Sequence, residues 1–226
     1  MSEAISPTIE DYLGVIYLLQ REGETVIGAR LAERLGVSRP TVTVTLQRME
    51  RDGLITLNER KEIALTPAGL EAAQDVLRRH MLAERLLHQI VGLPWHQVHA
   101  EADRLEHHFS PAAVARMETL FEQPTTCPHG NPMPGATPSP AVPLDEIREG
   151  EEAILTRITE EAEEQPHLLA FLEENGLLPG VRLRVVSCRP YNETVTVEVG
   201  VAPSEGALGR TVVLGLATAR LMRVQR

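Results

Sequence analysis

The segment 27–65 constrains the fold most, because it carries the pattern of a helix-turn-helix followed by a hairpin. A short helix is predicted over 27–35, and Gly36 can supply the left-handed residue that ends it. Ser38 is placed to cap a second helix, whose predicted buried stripe consists of Val42, Leu46 and Met49. Two short β-compatible runs, 54–57 and 62–65, then flank a polar tip, as in a wing. Together these features predict a winged helix-turn-helix.

The charge of this segment differs from that of the whole chain. The formal net charge is −10, which by itself disfavours nucleic acid, because binding a polyanion needs clustered cations. Segment 27–61, however, holds seven Arg or Lys residues against four Asp or Glu residues. We therefore predict that its second helix enters the major groove of DNA while the wing contacts phosphate. The predicted DNA contacts are Arg39, Pro40, Thr41, Thr43, Val44 and Gln47 near base edges, and Arg48, Arg60 and Lys61 at phosphates.

The rest of the sequence predicts further folded regions on either side of a proline-rich segment. Ser6 and Pro7 signal the start of a first helix reaching about residue 21. Further helices are predicted over 66–91, 94–108 and 110–122. Segment 124–143 holds seven prolines, which predicts a linker or an extended crossing segment. Beyond it, one helix near 167–175 and five strand-like runs predict a small β-barrel; the runs are 153–158, 181–187, 194–201, 211–214 and 219–224.

The cellular compartment is predicted from two kinds of segment that the sequence lacks. No apolar run approaches the ~18 residues of a membrane span, and the acidic N-terminus does not resemble a signal peptide. We therefore expect a cytoplasmic protein with no membrane partner. Cys127 and Cys188 lie far apart without a metal-binding or disulfide spacing, so both are interpreted as ordinary reduced thiols.

One helix face carries a possible metal site. His99, Asp103, Glu106 and His107 are spaced i, i+4, i+7 and i+8, which places two imidazoles and two carboxylates together. Crowding these groups is costly without a cation, whereas a divalent ion organises them. Acidic helix faces are also common without metal, so spacing alone leaves both interpretations open. His80 and Glu84 form a second pair on the preceding helix, while His88, His96 and His108 are interpreted as solvated or hydrogen-bonded residues.

At these residues the chain resembles the diphtheria toxin repressor and manganese transport regulator family of metal-dependent transcriptional repressors. The resemblance covers nearly the whole chain. It is carried by the following stretches: Thr8-Ile9-Glu10-Asp11-Tyr12-Leu13, Ala32-Glu33-Arg34-Leu35, Pro40-Thr41-Val42, Arg48-Met49-Glu50-Arg51-Asp52-Gly53-Leu54, His80-Met81-Leu82-Ala83-Glu84-Arg85-Leu86-Leu87, Glu106-His107 and Gly130-Asn131-Pro132.

The resemblance implies a mainly α N-terminal part and a C-terminal small β-barrel that is SH3-like. The predicted domains are a winged helix-turn-helix (1–73), a helical metal-binding and dimerisation domain (74–123), a proline-rich linker (124–144) and an SH3-like, FeoA-like domain (145–226). It further implies a homodimer on a palindromic double-stranded DNA operator, with two ions per subunit. The implied primary ligands are Asp11, Asp103, Glu106 and His107. The implied ancillary ligands are His80, Glu84, His99, Glu160 and Glu163, with Glu161 and Glu164 as alternatives through a register shift.

The metal is expected to be Mn²⁺, with Fe²⁺ as the alternative. Asp11 and Asp103 stand where the iron-responsive branch of the family has methionine and cysteine, and an oxygen-rich site suits a hard ion. Gly14 stands where some manganese regulators have another carboxylate, so a second ion cannot be bound as it is there. We expect an ion at the primary site to clamp the DNA-binding half against the dimer-forming half.

Two other function classes are compatible with a cluster of histidines and carboxylates. A metal-dependent hydrolase is not expected, because the sequence has no HExxH, no nucleophile motif and no glycine-rich phosphate loop. We therefore predict that the chain is not an enzyme. A metal-independent winged-helix regulator, in which the histidines and carboxylates are merely structural, remains the other alternative.

Overall fold

The computed structural model describes residues 5–137, 140–200 and 209–226. It divides into two compact units. The first contains the chain up to His80 together with Glu106–Phe109, and the second contains Met81–Leu105 and Ser110–Arg226.

The first unit contains the predicted winged helix-turn-helix. Its elements are α1 (Pro7–Arg21), α2 (Gly28–Arg34), α3 (Arg39–Arg51), β1 (Ile55–Leu57), β2 (Ile63–Leu65) and most of α4 (Pro67–Arg85). Gly36 ends the α2 segment with φ +63°, and Ser38 Oγ accepts the Thr41 backbone N–H at 3.3 Å to begin α3. Strands β1 and β2 pair antiparallel. The predicted order of helices and hairpin is therefore confirmed.

A buried apolar cluster joins these elements. Leu13, Ile16, Leu31 and Met49 are all fully buried, and Ile55 is 1% exposed. Leu13 and Ile16 lie on α1, and the other three come from α2, α3 and β1. The helices therefore pack through the apolar stripes that the sequence periodicity displays. Burying side chains of this size stabilises a fold by about 2 kcal/mol each.

The helical part of the second unit is more broken than predicted. The last turn of α4 passes into a π-helix, Leu86–Val91, which ends at Gly92 with φ +83°. The predicted helix over 94–108 is instead a 3₁₀ turn (Trp95–Gln97), α5 (Val98–Leu105) and a second 3₁₀ turn (Glu106–His108) that belongs to the first unit. Helix α6 (Pro111–Leu120) follows a Ser110 cap. Residue periodicity does not distinguish α from 3₁₀ or π pitch over so few residues, which explains the difference.

The described part of the proline-rich segment is a folded loop and not a loose linker. Thr126 and Pro132 form an isolated β-bridge, and Cys127, His129 and Asn131 are at most 3% exposed. Gly130 has φ +86°, and a Cβ there would lie 2.1 Å from the Thr156 carbonyl oxygen. Prolines exclude a helix or central strand, but they do not prevent a turn from being buried.

A six-stranded antiparallel sheet dominates the rest of the second unit. Its strands are β3 (Val142–Pro143), β4 (Glu152–Ile158), β5 (Arg182–Arg189), β6 (Thr194–Val199), β7 (Arg210–Gly215) and β8 (Met222–Gln225). Their order is β3-β8-β4-β5-β6-β7. Short helices α7 (Glu160–Glu163), α8 (Pro166–Glu174) and α9 (Leu216–Arg220) accompany them.

Within the described ranges this sheet is open, so the predicted closed barrel is not formed. Edge strand β3 has only two residues, and one of them, Pro143, has no N–H to donate to a ladder. The start of the predicted strand 219–224 is also wrong, because Ala219 lies in α9. The end of the predicted strand 194–201 falls on residue 201, which lies outside the described residues. None of the helices described has the length and apolar character needed to cross a membrane.

Candidate metal centres and nucleic-acid interface

Helix α3 presents its predicted DNA-facing side to solvent. All nine residues predicted to contact DNA are exposed, whereas Val42, Leu46 and Met49 are buried against the core of the first unit. Val44 is 66% exposed. A single exposed valine is common on any surface, but beside Pro40 it offers the apolar contact that suits a thymine methyl group.

Local bonds fix the polar side chains of this surface. The Thr43 hydroxyl donates to the Arg39 carbonyl at 3.0 Å, which leaves its oxygen as an acceptor. Arg48 Nε lies 3.6 Å from Asp52 Oδ2 in an exposed ion pair.

The wing tip is also held in place. Asn58 Oδ1 accepts the backbone N–H groups of Arg60 and Glu62, both at 2.9 Å. Lys61 has φ +62°, and both it and Arg60 point into solvent. The tip is therefore a rigid turn that carries two exposed cations.

Three of the four predicted primary ligands meet in the first unit. Asp11 on α1 and Glu106 and His107 on the 3₁₀ turn offer ligand atoms that all lie within 4.8 Å of one another. His107 Nε2 is 3.0 Å from Asp11 Oδ1 and 3.4 Å from Glu106 Oε1. One imidazole nitrogen and two carboxylates thus converge, as a divalent cation requires.

Glu10 completes this arrangement and was not predicted. Its carboxylate accepts the His107 Nδ1–H at 2.6 Å and the Arg79 guanidinium at 2.7 Å. The proton on Nδ1 leaves Nε2 as the nitrogen that faces Asp11 and Glu106. Neighbours at i and i+1 point in different directions on a helix, and His107 is distant in sequence, so no local pattern could reveal this role.

Two further predicted ligands have different surroundings. His80, predicted for the ancillary site, lies in the first unit with Nδ1 2.6 Å from Glu106 Oε2. Asp103, predicted for the primary site, lies on α5 in the second unit, where its carboxylate is 4.0 Å from His99 Nε2. The ligand roles assigned to both residues remain predictions.

A second cluster is buried in the second unit. His99 Nδ1 lies 3.2 Å from Glu84 Oε1 and 3.1 Å from Glu163 Oε2. The side chains of Glu84 and Glu163 are 0% and 2% exposed. Glu160 is also buried, whereas the alternatives Glu161 and Glu164 are exposed.

Cys127 and His129 belong to the same neighbourhood, although sequence reasoning assigned them no function. Ligand atoms of Glu84, Cys127 and His129 lie within 4.8 Å of one another. His129 Nδ1 is 3.2 Å from Glu84 Oε1 and 3.7 Å from Glu163 Oε1. Interpreting Cys127 as an ordinary thiol overlooked these neighbours. The Cys-Pro-His spacing was the available signal, and the proline content obscured it.

The electrostatics of this cluster fit a divalent ion. Burial alone would lower the pKa of His129, but the carboxylates of Glu163 and Glu84 outweigh it and raise that pKa. Burial, followed by the charges of Glu84, Glu163 and Glu160, raises the pKa of the Cys127 thiol well above its usual value. Buried carboxylates contribute to both shifts, so negative charge is concentrated in this cluster. A cation would offset that charge, and the carboxylate, imidazole and thiol donors suit a transition metal.

A winged helix with an exposed basic reading surface, together with two clusters of histidines and carboxylates, defines the class of metal-dependent DNA-binding regulators. Comparison with known proteins agrees with this class. The chain belongs to the iron-dependent repressor family. Residues 4–63 match the model described as "Iron dependent repressor, N-terminal DNA binding domain", residues 66–135 match its "metal binding and dimerisation domain", and residues 142–226 match the FeoA domain.

Individual relatives support the same assignment. The iron-dependent repressor IdeR of Mycobacterium leprae is 40% identical over 191 residues, which cover 79% of this chain and 83% of that protein. The diphtheria toxin repressor of Corynebacterium diphtheriae is 40% identical over 173 residues, covering 75% and 73% respectively.

Solved structures are similar over nearly the full length. A manganese-dependent transcriptional repressor in complex with manganese has a TM-score of 0.84 at 32% identity, covering 96% of this chain and 98% of that one. The IdeR of T. acidophilum has a TM-score of 0.74 at 28% identity, covering 98% of both chains. The family consists of transcriptional repressors and not enzymes, which removes the hydrolase alternative.

Proposed function

We propose that this metal-dependent repressor binds a palindromic operator as a homodimer when Mn²⁺ holds its primary centre, with Fe²⁺ as the alternative ion. The observation that carries the proposal is the convergence of Asp11, from the first helix, with Glu106 and His107 within 4.8 Å. Asp11 is about 95 residues away in sequence from the adjacent Glu106 and His107, so only the fold brings the three side chains together. A repressor acts on the chromosome, so we place it in the cytoplasm.

The primary ligand set favours manganese. Asp11, Glu106 and His107, with Asp103 added from the sequence prediction, supply oxygen and imidazole nitrogen but no sulfur. Such donors suit a hard ion, although hardness ranks Mn²⁺ and Fe²⁺ only weakly. When bound, the ion supplies positive charge that allows two carboxylates to share one small volume. Glu10 holds the His107 ring so that Nε2 faces that volume.

The ancillary centre is proposed to hold a second ion. Glu84, His99 and Glu163 form its core, Glu160 adds a buried carboxylate, and His80 enters from the sequence prediction. Cys127 and His129 extend the donor set with a thiol and an imidazole, and the thiol favours softer ions such as Fe²⁺. Relatives with 40% identity are named iron-dependent repressors, which is why iron stays as the alternative.

DNA recognition is proposed to use the exposed side of α3 and the wing. Arg39, Pro40, Thr41, Thr43, Val44 and Gln47 are proposed to face base edges, and Arg48, Arg60 and Lys61 to face phosphates. In a symmetric dimer the two α3 helices must be spaced by the DNA repeat, ~34 Å or a multiple of it. An ion present at ~1,000 times its dissociation constant can favour the conformer it binds by up to ~4 kcal/mol. That bias is sufficient to switch DNA binding.

The test compares His107→Ala with His108→Ala, since these neighbours differ in that only His107 faces Asp11 and Glu106. The full chain is stripped with EDTA, and binding to operator DNA selected from a random library is followed by fluorescence anisotropy during Mn²⁺ or Fe²⁺ addition. Metal-stimulated binding is expected in the wild type and in His108→Ala, but not in His107→Ala. If metal still stimulates DNA binding by His107→Ala as in the wild type, the proposed primary centre is ruled out. Chelator-insensitive binding by the wild type would favour the metal-independent regulator.

A further inference from the structure

Glu173, at the end of α8, makes a concentrated set of contacts with the 3₁₀ turn Trp95–Gln97. Its Oε1 accepts the Trp95 backbone N–H at 3.1 Å, and its Oε2 accepts the His96 backbone N–H at 3.2 Å. The same Oε2 pairs with His96 Nδ1. One carboxylate therefore fixes both the backbone and a side chain of this turn.

Trp95 in turn fixes His129. The two rings have centroids 4.5 Å apart, and the Trp95 indole N–H donates to the Pro128 carbonyl at 3.0 Å. The Trp95 carbonyl lies 3.3 Å from His129 Nε2. Because a carbonyl can only accept, Nε2 carries a proton there, and Nδ1 is the nitrogen that faces Glu84, at 3.2 Å.

Helix α8 is also packed through its own apolar side. Leu169 and Leu172, on the buried side of that helix, are both fully buried in the core of the second unit. A carboxylate that only capped the turn would contribute to stability and leave His129 unaffected. The chain of contacts to His129 argues for more than capping.

We propose that Glu173 is a positioning residue for the ancillary centre, acting through Trp95 to hold His129 with Nδ1 toward Glu84 and Glu163. The inference rests on the proposed role of His129 as a ligand. Groups that orient a metal-binding imidazole without touching the ion change metal affinity by ~10–100-fold. Since Glu173 acts through one intervening residue, the lower end of that range, about tenfold, is expected.

The chain provides its own reporter, because Trp95 is its single tryptophan and lies against His129. Full-length wild type, Glu173→Gln and Glu174→Gln are stripped of metal and titrated with Mn²⁺ while the Trp95 emission is followed. Glu174 is the exposed neighbour on the same helix and serves as the matched control. Long-range ¹H–¹⁵N spectra of ¹⁵N-histidine protein loaded with Zn²⁺ report which nitrogen of His129 carries the proton.

We expect about tenfold weaker Mn²⁺ binding by the Trp95 signal in Glu173→Gln and a wild-type value in Glu174→Gln. The proton of His129 should lie on Nε2 in the wild type and be partly displaced to Nδ1 in Glu173→Gln. Wild-type affinity and an unchanged tautomer in a folded Glu173→Gln would overturn the inference and leave Glu173 as a cap.

Two further results separate this inference from the proposed function. If Mn²⁺ leaves wild-type Trp95 emission unchanged, and isothermal titration shows that His129→Gln binds Mn²⁺ as the wild type does, the ancillary role of His129 fails and the inference fails with it. If Glu173→Gln does not fold, Glu173→Asp keeps the charge but shortens the reach to Trp95. The same displacement of the His129 proton is then expected, and an unchanged tautomer overturns the inference.

Discussion

Replacing Glu10 with glutamine tests how the primary centre is oriented. The Glu10 carboxylate accepts two donors at once, the Arg79 guanidinium at 2.7 Å and the His107 Nδ1–H at 2.6 Å. A glutamine of the same shape has only one acceptor oxygen, so one of these donors must lose its partner. If His107 loses its partner, the ring no longer has a fixed tautomer.

The expected magnitude follows from both contacts. Loss of the group that orients a metal-binding imidazole weakens metal affinity by about 10–100-fold, or about 1.4–2.7 kcal/mol. Arg79 and Glu10 side chains are only 10% and 15% exposed, so their pair is largely shielded from water. Losing a charged hydrogen bond in such a place should lower the free energy of unfolding by about 2 kcal/mol.

Isothermal titration with Mn²⁺ and urea unfolding of the metal-free chain measure the two effects. Asp75→Asn is the matched control, because Asp75 also lies 3.4 Å from Arg79 but is 64% exposed. It should leave Mn²⁺ affinity unchanged. A folded Glu10→Gln chain with wild-type affinity, or an equal loss in Asp75→Asn, would refute the reasoning.

Three more predictions follow from single features of the described residues. Gly130→Ala should lower the free energy of unfolding by about 3 kcal/mol, because its Cβ would meet the Thr156 carbonyl oxygen at 2.1 Å. Gly150 has φ +88° and open space around it, so Gly150→Ala should lower that free energy by only about 1 kcal/mol. Equal losses in the two variants would contradict a clash at Gly130. Burial works to raise the pKa of Glu173, but bonds from His96 and Trp95 outweigh it and lower that pKa; its stabilisation is therefore present above the unfolded value of 4.5 and lost as pH falls through the folded one. The difference in unfolding free energy between wild type and Glu173→Gln should shrink on acidification, and a pH-independent difference would count against this assignment. Arg60→Ala should weaken binding to selected and unrelated DNA alike, and the salt dependence of DNA binding should fall by about one ion. Arg39→Ala should instead lose about 1–3 kcal/mol of discrimination between DNA sequences. Identical salt slopes and specificities for the two variants would argue against a phosphate contact for Arg60 and a base contact for Arg39.

Local signals made the DNA-binding part predictable. The Ser38 cap, the positive-φ Gly36 and the stripe of Val42, Leu46 and Met49 each act within a few residues, so helix boundaries and the buried face of α3 could be read directly. The spacing of His99, Asp103, Glu106 and His107 placed two imidazoles and two carboxylates on one predicted helix face, which made a metal site one of two interpretations.

Features that depend on distant chain segments were missed. Glu10 matters because Arg79 and His107 approach it, and neither is near it in sequence. Cys127 and His129 became candidate ligands only once their loop was buried beside Glu84. Composition predicted a linker or an extended crossing segment there, because it registers the prolines but not the surface on which they pack. The open sheet has β3 as one of its edges. That strand has only two residues, which are too few for a sequence pattern to reveal.

The central claim is that one ion is held by Asp11, Glu106 and His107, and anomalous diffraction at the manganese edge from Mn²⁺-soaked crystals tests it most directly. The account predicts a peak with Asp11 and Glu106 oxygens and His107 Nε2 within about 2.3 Å of it. A fully soaked crystal with no peak there, or with His107 turned so that Nε2 faces away from Asp11, would contradict it.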